Sequence, residues 1–262
     1  MKFQRLLLIG DDWGLKTLLR CIPEQQVAGI MIAEIRPQFH NYARALALEN
    51  RVPLLVQPRR RSPSHQAFFD SFQRLRPDGI VCNSYSMLLP DEMLGFVKGN
   101  AFNFHFSLLP KNRGPNPVQW AIIRGESETG ISFHRMVSDV DAGEVFAQIR
   151  IPILEDDSWV SLRQRLFDNF EQFAQEAIES LNSGGLTPRP QSPTQATQNP
   201  RLTADFPRIQ FSKMGDQEIY NLIRAQVTPL RGAFIENSLG ERHYFPQMLS
   251  RQEIARLRAE LA

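Results

Sequence analysis

Short apolar runs alternate with amphipathic helical stretches through the first half of the chain, and this rhythm restricts the fold more than any other feature. Residues 5–9, 27–33, 53–56 and 79–82 are compact runs rich in Leu, Ile and Val, and read as strands. Between them, 14–21, 41–49 and 65–75 carry helical spacing; Phe68, Phe69 and Phe72 lie on one side of the last. A strand–helix–strand alternation closes into a largely parallel sheet with helices on both faces. Such sheets bind ligands at the carboxyl ends of their strands. The segments to watch are therefore those that follow strands: 11–14, 83–90 and 104–114.

The second half extends the pattern. Residues 101–105, 130–136 and 145–153 read as further strands, and 117–124 as a short helix with Pro117 in its first turn. Asp156 and Asp157 open the longest expected helix, with the stripe Trp159, Leu162, Leu166, Phe170, Phe173, Ala177 and Leu181. Gly184 and Gly185 end it. Residues 186–203 are rich in Pro, Gln and Thr and poor in apolar side chains, so they read as a linker. Beyond it, 208–211 alternates like a strand and 216–225 is amphipathic. A hairpin follows over 232–245, with a terminal helix over 252–261. The expected class is α/β: a Rossmann-like parallel or mixed sheet over residues 1–185, a linker over 186–203, and a small C-terminal α+β subdomain over 204–262.

Composition excludes several functions. Thirty basic residues face 28 acidic ones, a net charge of +2, which argues against a strongly basic nucleic-acid face. The two cysteines, Cys21 and Cys82, sit in apolar contexts and read as buried packing rather than a disulfide scaffold. The apolar run near the N-terminus is four residues, Leu6 to Ile9, too short for a secretory or membrane segment. The expected location is the cytoplasm.

The chemically informative stretch is 101–148. Residues two apart on a strand share a face, so Asn103 and His105 point the same way at the end of an apolar strand. Polar groups placed there need partners or a cleft. Asp141 lies in a tight Asp-Ala-Gly loop between two strands; on spacing alone it is equally a turn residue. The five histidines do not cluster with cysteines or carboxylates at metal-ligand spacing, so no metal is expected.

Taken in order, the Asn103/His105 pair, Ser107-Leu108-Leu109-Pro110, Arg113-Gly114 and Asp141-Ala142-Gly143 closely resemble the core of the folate-dependent formyltransferases. That family includes enzymes acting on methionyl-tRNA, on glycinamide ribonucleotide and on nucleotide-linked amino sugars. The likeness covers about residues 1–185 and is strongest over 80–150. It implies transfer of a formyl group from 10-formyltetrahydrofolate to an amine, with Asn103, His105 and Asp141 catalytic. The Asn103 amide and a protonated His105 would donate hydrogen bonds to the formyl oxygen as it gains charge. Asp141 would orient the imidazole and relay the amine's proton. By the same likeness Ser86, Met87, Leu88 and Leu89 flank the pterin, while Val137, Ser138, Asp139 and Val140 read its edge. Without the motif downstream, the preferred reading of Met87 to Leu89 is that they simply pack under a loop.

For the acceptor, residues 201–234, and above all Thr228-Pro229-Leu230-Arg231-Gly232-Ala233-Phe234, resemble the truncated C-terminal segment of sugar N-formyltransferases. Residues 131–135 and Gln119-Trp120 resemble them too. The C-terminal stretch is short for a tRNA-binding barrel, and its charges nearly balance. A nucleotide-linked amino sugar is thus the expected small-molecule partner. A tRNA, a hydroxyornithine or a peptide-bound amine stays open as the acceptor, as does a homodimer. Lys111 and Arg113 would meet the diphosphate, Ser107 is a further substrate contact, and Trp13 would stack on sugar or base or act as an anchor. The run Arg59-Arg60-Arg61 reads first as a solvated face.

Overall fold

The computed structural model describes residues 3–261. Its central feature is a seven-stranded sheet in the order β3-β2-β1-β4-β5-β6-β7. The strands are β1 (Leu6–Ile9), β2 (Val27–Ala33), β3 (Leu54–Gln57), β4 (Gly79–Asn83), β5 (Ala101–His105), β6 (Glu128–Arg135) and β7 (Val145–Pro152). Helices α1 (Gly14–Cys21), α2 (His40–Glu49), α3 (His65–Leu75) and α4 (Asp91–Phe96) connect the first five. Strands β1 to β5 pair in parallel, and β6 runs antiparallel to β5. The α/β class expected from the sequence is the class observed.

The chain divides into two compact units. The first holds the described residues up to His105, with Ile131–Ile149 and Asn169–Ser192. Strands β1 and β4 are buried at every position, which is why β1 and most of β4 read as continuous apolar runs. One core cluster joins Leu7, Ile9, Met31, Ile80 and Cys82 to Phe68 and Phe72 of α3 and Met93 of α4. An aromatic cluster gathers Phe102, Phe104, Phe133 and Phe146; the rings of Phe104 and Phe133 stack with centroids 4.5 Å apart, and Phe170 meets Phe104 edge-on at 5.2 Å. Phe102 and Phe104 therefore anchor one face of β5, and Asn103 and His105 occupy the other.

The second unit holds Phe106–Gly130, Arg150–Asp168 and the described residues from Pro193 onward. It contains α5 (Pro117–Ile123), α7 (Asp216–Arg224), the hairpin β8 (Ala233–Glu236) and β9 (Arg242–Phe245), and α8 (Arg251–Leu261). Ile209, Ile219, Leu222, Ile223, Phe245 and Ile254 form its core. The long helix α6 (Trp159–Ser183) contributes residues to both units.

Local expectations needed revision at several points. Residues 208–211 do not form a strand: only an isolated bridge joins Arg208 to Phe234. Pro207 has no N–H to extend the ladder, and a turn follows at once. Helix α6 opens at Trp159, because the Asp157 carboxylate is turned back onto the Leu154 N–H at 2.7 Å. The short α4, led by Pro90 and acidic in its first turn, was not expected. Residues 186–203 are tied down in places: Arg189 bridges to Val145 within the first unit, and Gln198 to Arg113 within the second.

Candidate active site

Strand register assembles the site. Along β5, Asn103 lies opposite Cys82 of β4 on one side and opposite His134 of β6 on the other; His105 lies opposite Ser132. The Asn103 amide nitrogen sits 3.2 Å from His134 Nε2. The opposite ring nitrogen of His134, Nδ1, lies 2.8 Å from the Arg135 carbonyl and must donate to it. In the neutral ring Nε2 is then the acceptor, which fixes the Asn103 amide orientation. His134 is 2% exposed.

Asp141 lies close to both histidines. Its Oδ2 approaches His105 Nδ1 at 3.5 Å and its Oδ1 approaches His134 Nε2 at 3.4 Å. The loop that delivers it is unusual. Asp141 adopts φ 51°, a left-handed conformation that aspartate tolerates better than most residues. Gly143 is required by close approach, since a Cβ there would stand 2.1 Å from the Arg135 carbonyl oxygen. Gln191 then clips the loop from outside, its amide nitrogen donating to the carbonyls of Asp141 and Gly143, each at 2.7 Å.

The three residues expected to be catalytic are thus brought together within the first unit. His134 and Gln191 were not singled out from the sequence. The signal for His134 was present in 131–135, but its meaning depends on the antiparallel register of β6. Gln191 sits in the stretch read as a linker and offers no local signal.

The expected carrier-binding loops also belong to this unit. In the loop after β4, Leu89 is buried in the core cluster, Met87 is half-buried and Leu88 is 65% exposed. In the loop after β6, Val137 and Val140 are exposed apolar residues beside Ser138 and Asp139, also exposed. Met136, at the base of this second loop, packs against the cluster that holds Leu89. The Asp139 carbonyl accepts the Ala142 N–H at 3.3 Å. Trp13 is 59% exposed and meets Tyr42 and Phe39 edge-on, at 4.6 and 6.4 Å.

Ser107, Lys111 and Arg113 fall in the second unit. Ser107 is fully buried, with its hydroxyl donating to the Lys111 carbonyl at 2.7 Å. The Lys111 side chain is exposed, Arg113 is half-buried, and the Arg113 N–H donates to Thr197. Arg59, Arg60 and Arg61 are exposed.

Burial, aided by Glu171, pushes the Cys21 thiol up to about 11, and burial likewise raises Cys82 well above its ordinary value. Neither is a nucleophile at neutral pH. Among the described residues, no cluster of three or more His, Cys, Asp or Glu is placed to hold a metal ion, and no helix is long and apolar enough to cross a membrane.

Residues 20–178, more than half of the chain, match the family model described as formyl transferase. This chain belongs to the formyl transferase family. The formyltransferase shares its fold with a sugar N-formyltransferase from Shewanella sp FDAARGOS_354 (19% identity, 94% of this chain and 97% of that one, TM-score 0.72). A 4-N formyltransferase from Francisella tularensis aligns over 94% and 98% at 16% identity, with a TM-score of 0.74. WlaRD, a sugar 3N-formyl transferase solved in the presence of dTDP and 5-N-formyl-THF, aligns over 86% and 80% at 17% identity, with a TM-score of 0.65. At these identities the likeness is one of fold. The matched span includes β5 and the Asp141 loop, so the polar cluster lies inside the region matched to the family.

Proposed function

We propose that this formyltransferase moves a formyl group from 10-formyltetrahydrofolate to the amino group of a nucleotide-linked amino sugar. The observation that carries the reading is the Asp141 carboxylate reaching the imidazoles of His105 and His134, with Asn103 on the same strand face. This is a set of hydrogen-bond donors and one proton acceptor gathered at a strand terminus, which is what acyl transfer to an amine demands.

Each residue has a role. With Nδ1 of His105 turned to Asp141, its Nε2 is the nitrogen that donates to the formyl oxygen. Asn103 donates to the same oxygen, its amide oriented by His134. Asp141 accepts the proton shed by the attacking nitrogen, directly or through water. As the new C–N bond forms, the formyl carbon's bond to the carrier nitrogen breaks, and the proton ends on that nitrogen. Loss of one such donor raises a barrier by about 3–4 kcal/mol.

The carrier supplies the formyl carbon on an extended, partly apolar folate. The residues present suit it: Leu88, Val137 and Val140 are large apolar side chains left exposed on two loops sharing one apolar base. Ser86, Met87, Leu88 and Leu89 would flank the pterin, and residues 137–140 would meet its polar edge through the backbone. For the acceptor, support comes from the relatives of the same fold that are named as sugar N-formyltransferases, one of them solved with dTDP. Lys111 and Arg113 would pair with the diphosphate and Ser107 supports their turn, while Trp13 offers a face to the base or sugar.

The test is formyl transfer from 10-formyltetrahydrofolate to a panel of nucleotide-linked amino sugars, with initiator methionyl-tRNA as a competing acceptor. Turnover on at least one nucleotide sugar is expected, with His105→Ala slower by about 10²–10³-fold. Equal rates for both proteins would refute the assigned role. Turnover confined to the tRNA would refute the acceptor.

A further inference from the structure

The loop that follows β4 is held by groups far from it in sequence. Ser84 opens it in a left-handed conformation, φ 53°, and its carbonyl accepts the Asp11 N–H at 3.1 Å. Asp11, just past β1, is 3% exposed. Its Oδ1 accepts the N–H of Ala33, the last residue of β2, at 2.8 Å, and its Oδ2 accepts the N–H of Ser86 at 2.7 Å. Each carboxylate oxygen therefore takes one main-chain donor, tying the loop to the neighbouring strand.

Gln57, the last residue of β3, is also 3% exposed. Its amide nitrogen donates to the Leu88 carbonyl at 2.9 Å, and its amide oxygen accepts the Tyr85 hydroxyl at 2.8 Å. Burial, reinforced by Asp11, raises the Tyr85 pKa, so this hydroxyl remains a donor at every working pH. Arg36 adds a 2.6 Å bond from Nε to Ser86 Oγ, and Leu89 plugs into the apolar core. The main chain is thereby pinned at 84, 86 and 88, and the side chains at 85 and 89, while the Leu88 side chain stays 65% exposed. A loop needing only a stable turn would be satisfied by its own residues. This one is braced from the ends of three strands, and the part it presents outward is the part assigned to the pterin.

We infer that Asp11 and Gln57 are positioning residues for the formyl donor, setting the conformation in which residues 86–89 bind folate. The inference rests on the folate reading above and extends it to two buried residues outside the family motif. Neither touches reacting atoms. Their effect falls on donor affinity, whereas the His105 and Asp141 groups govern the chemical step.

The experiment measures the dissociation constant for 5-formyltetrahydrofolate, a non-transferring analogue, by calorimetry, together with donor KM, kcat and Tm. The proteins are wild type, Gln57→Glu, Asp11→Asn and Tyr85→Phe. Gln57→Glu keeps the shape and the acceptor for Tyr85 but turns a carboxylate oxygen onto the Leu88 carbonyl. Asp11→Asn places an amide nitrogen against a backbone donor. Both should weaken analogue binding and raise donor KM by about tenfold or more, and Tyr85→Phe by roughly threefold, with kcat at saturating donor and its pH profile retained. If Gln57→Glu or Asp11→Asn does not fold, Tyr85→Phe, which removes one hydroxyl, decides alone. Wild type that binds the analogue while folded variants bind it equally well overturns the inference and leaves the functional reading standing. Wild type that binds no folate overturns both.

Discussion

Two aspartates, one in each unit, show how differently this chain uses a buried carboxylate. Asp157 is 2% exposed and its oxygens are saturated by short bonds: Leu154 N–H, Arg165 Nη1 and Arg165 Nη2 at 2.7 Å, and the Ser161 hydroxyl at 2.9 Å. Asp141 has a 13% exposed side chain and approaches its two imidazoles at 3.4 and 3.5 Å, on a left-handed residue held by an outside clip. The first carboxylate is locked by a permanently charged partner and short geometry. The second faces two imidazoles at distances a substrate or water can reorganise. Closed bonding marks Asp157 as a structural acid; looser contacts suit Asp141 to the catalytic role proposed for it.

The sharpest way to break this contrast is Asp141→Asn. The expected result is a fall in kcat of about 10³-fold, with Tm unchanged to within about 2 °C. A large drop in Tm would mean that the 141 carboxylate is structural after all.

Asp157→Ala should do the reverse. Removing it strands the Arg165 charge and should destabilise by about 3 kcal/mol, lowering Tm by roughly 5–10 °C, with kcat per folded molecule unchanged. The pH dependence sharpens the point. Burial acts to raise the Asp157 pKa, but hydrogen bonds from Arg165, Leu154 and Ser161 outweigh it, and the folded value lies below the ordinary one. A depressed acid pKa stabilises fully above the unfolded value, near pH 4, and that stabilisation is lost as pH falls through the folded value. Thermal melts of wild type should therefore soften below about pH 4, and Asp157→Ala should lack that component of the acid loss.

The smallest effect should come from Gln191→Ala. Loss of its hydrogen bonds to the 141–143 loop should lower kcat by roughly five- to tenfold, leaving the folate dissociation constant in place. An altered folate affinity with normal kcat would mean that Gln191 serves the carrier loop instead.

The sheet was legible because buried parallel strands are written as unbroken apolar runs, and its helices because their stripes recur at three and four. Asn103 and His105 were legible for a similar reason: a period of two puts them together whatever the rest of the chain does. His134 was not, although it lies in a stretch whose strand character was plain. Its partnership with Asn103 exists only in the β5–β6 register, which no local pattern encodes. Gln191 hid in a Pro-, Gln- and Thr-rich stretch whose composition says exposed and says nothing of what a long amide can reach. Residues 208–211 misled for the opposite reason, since alternation was present but the partner strand and Pro207 permitted only one bridge.

Because β6 returns antiparallel beside β5, His105 and Ser132 face each other across one rung of the ladder. The chain between them is a detour with both ends fastened side by side. Such a detour can be lengthened, trimmed or exchanged while the ladder keeps Asn103 facing His134.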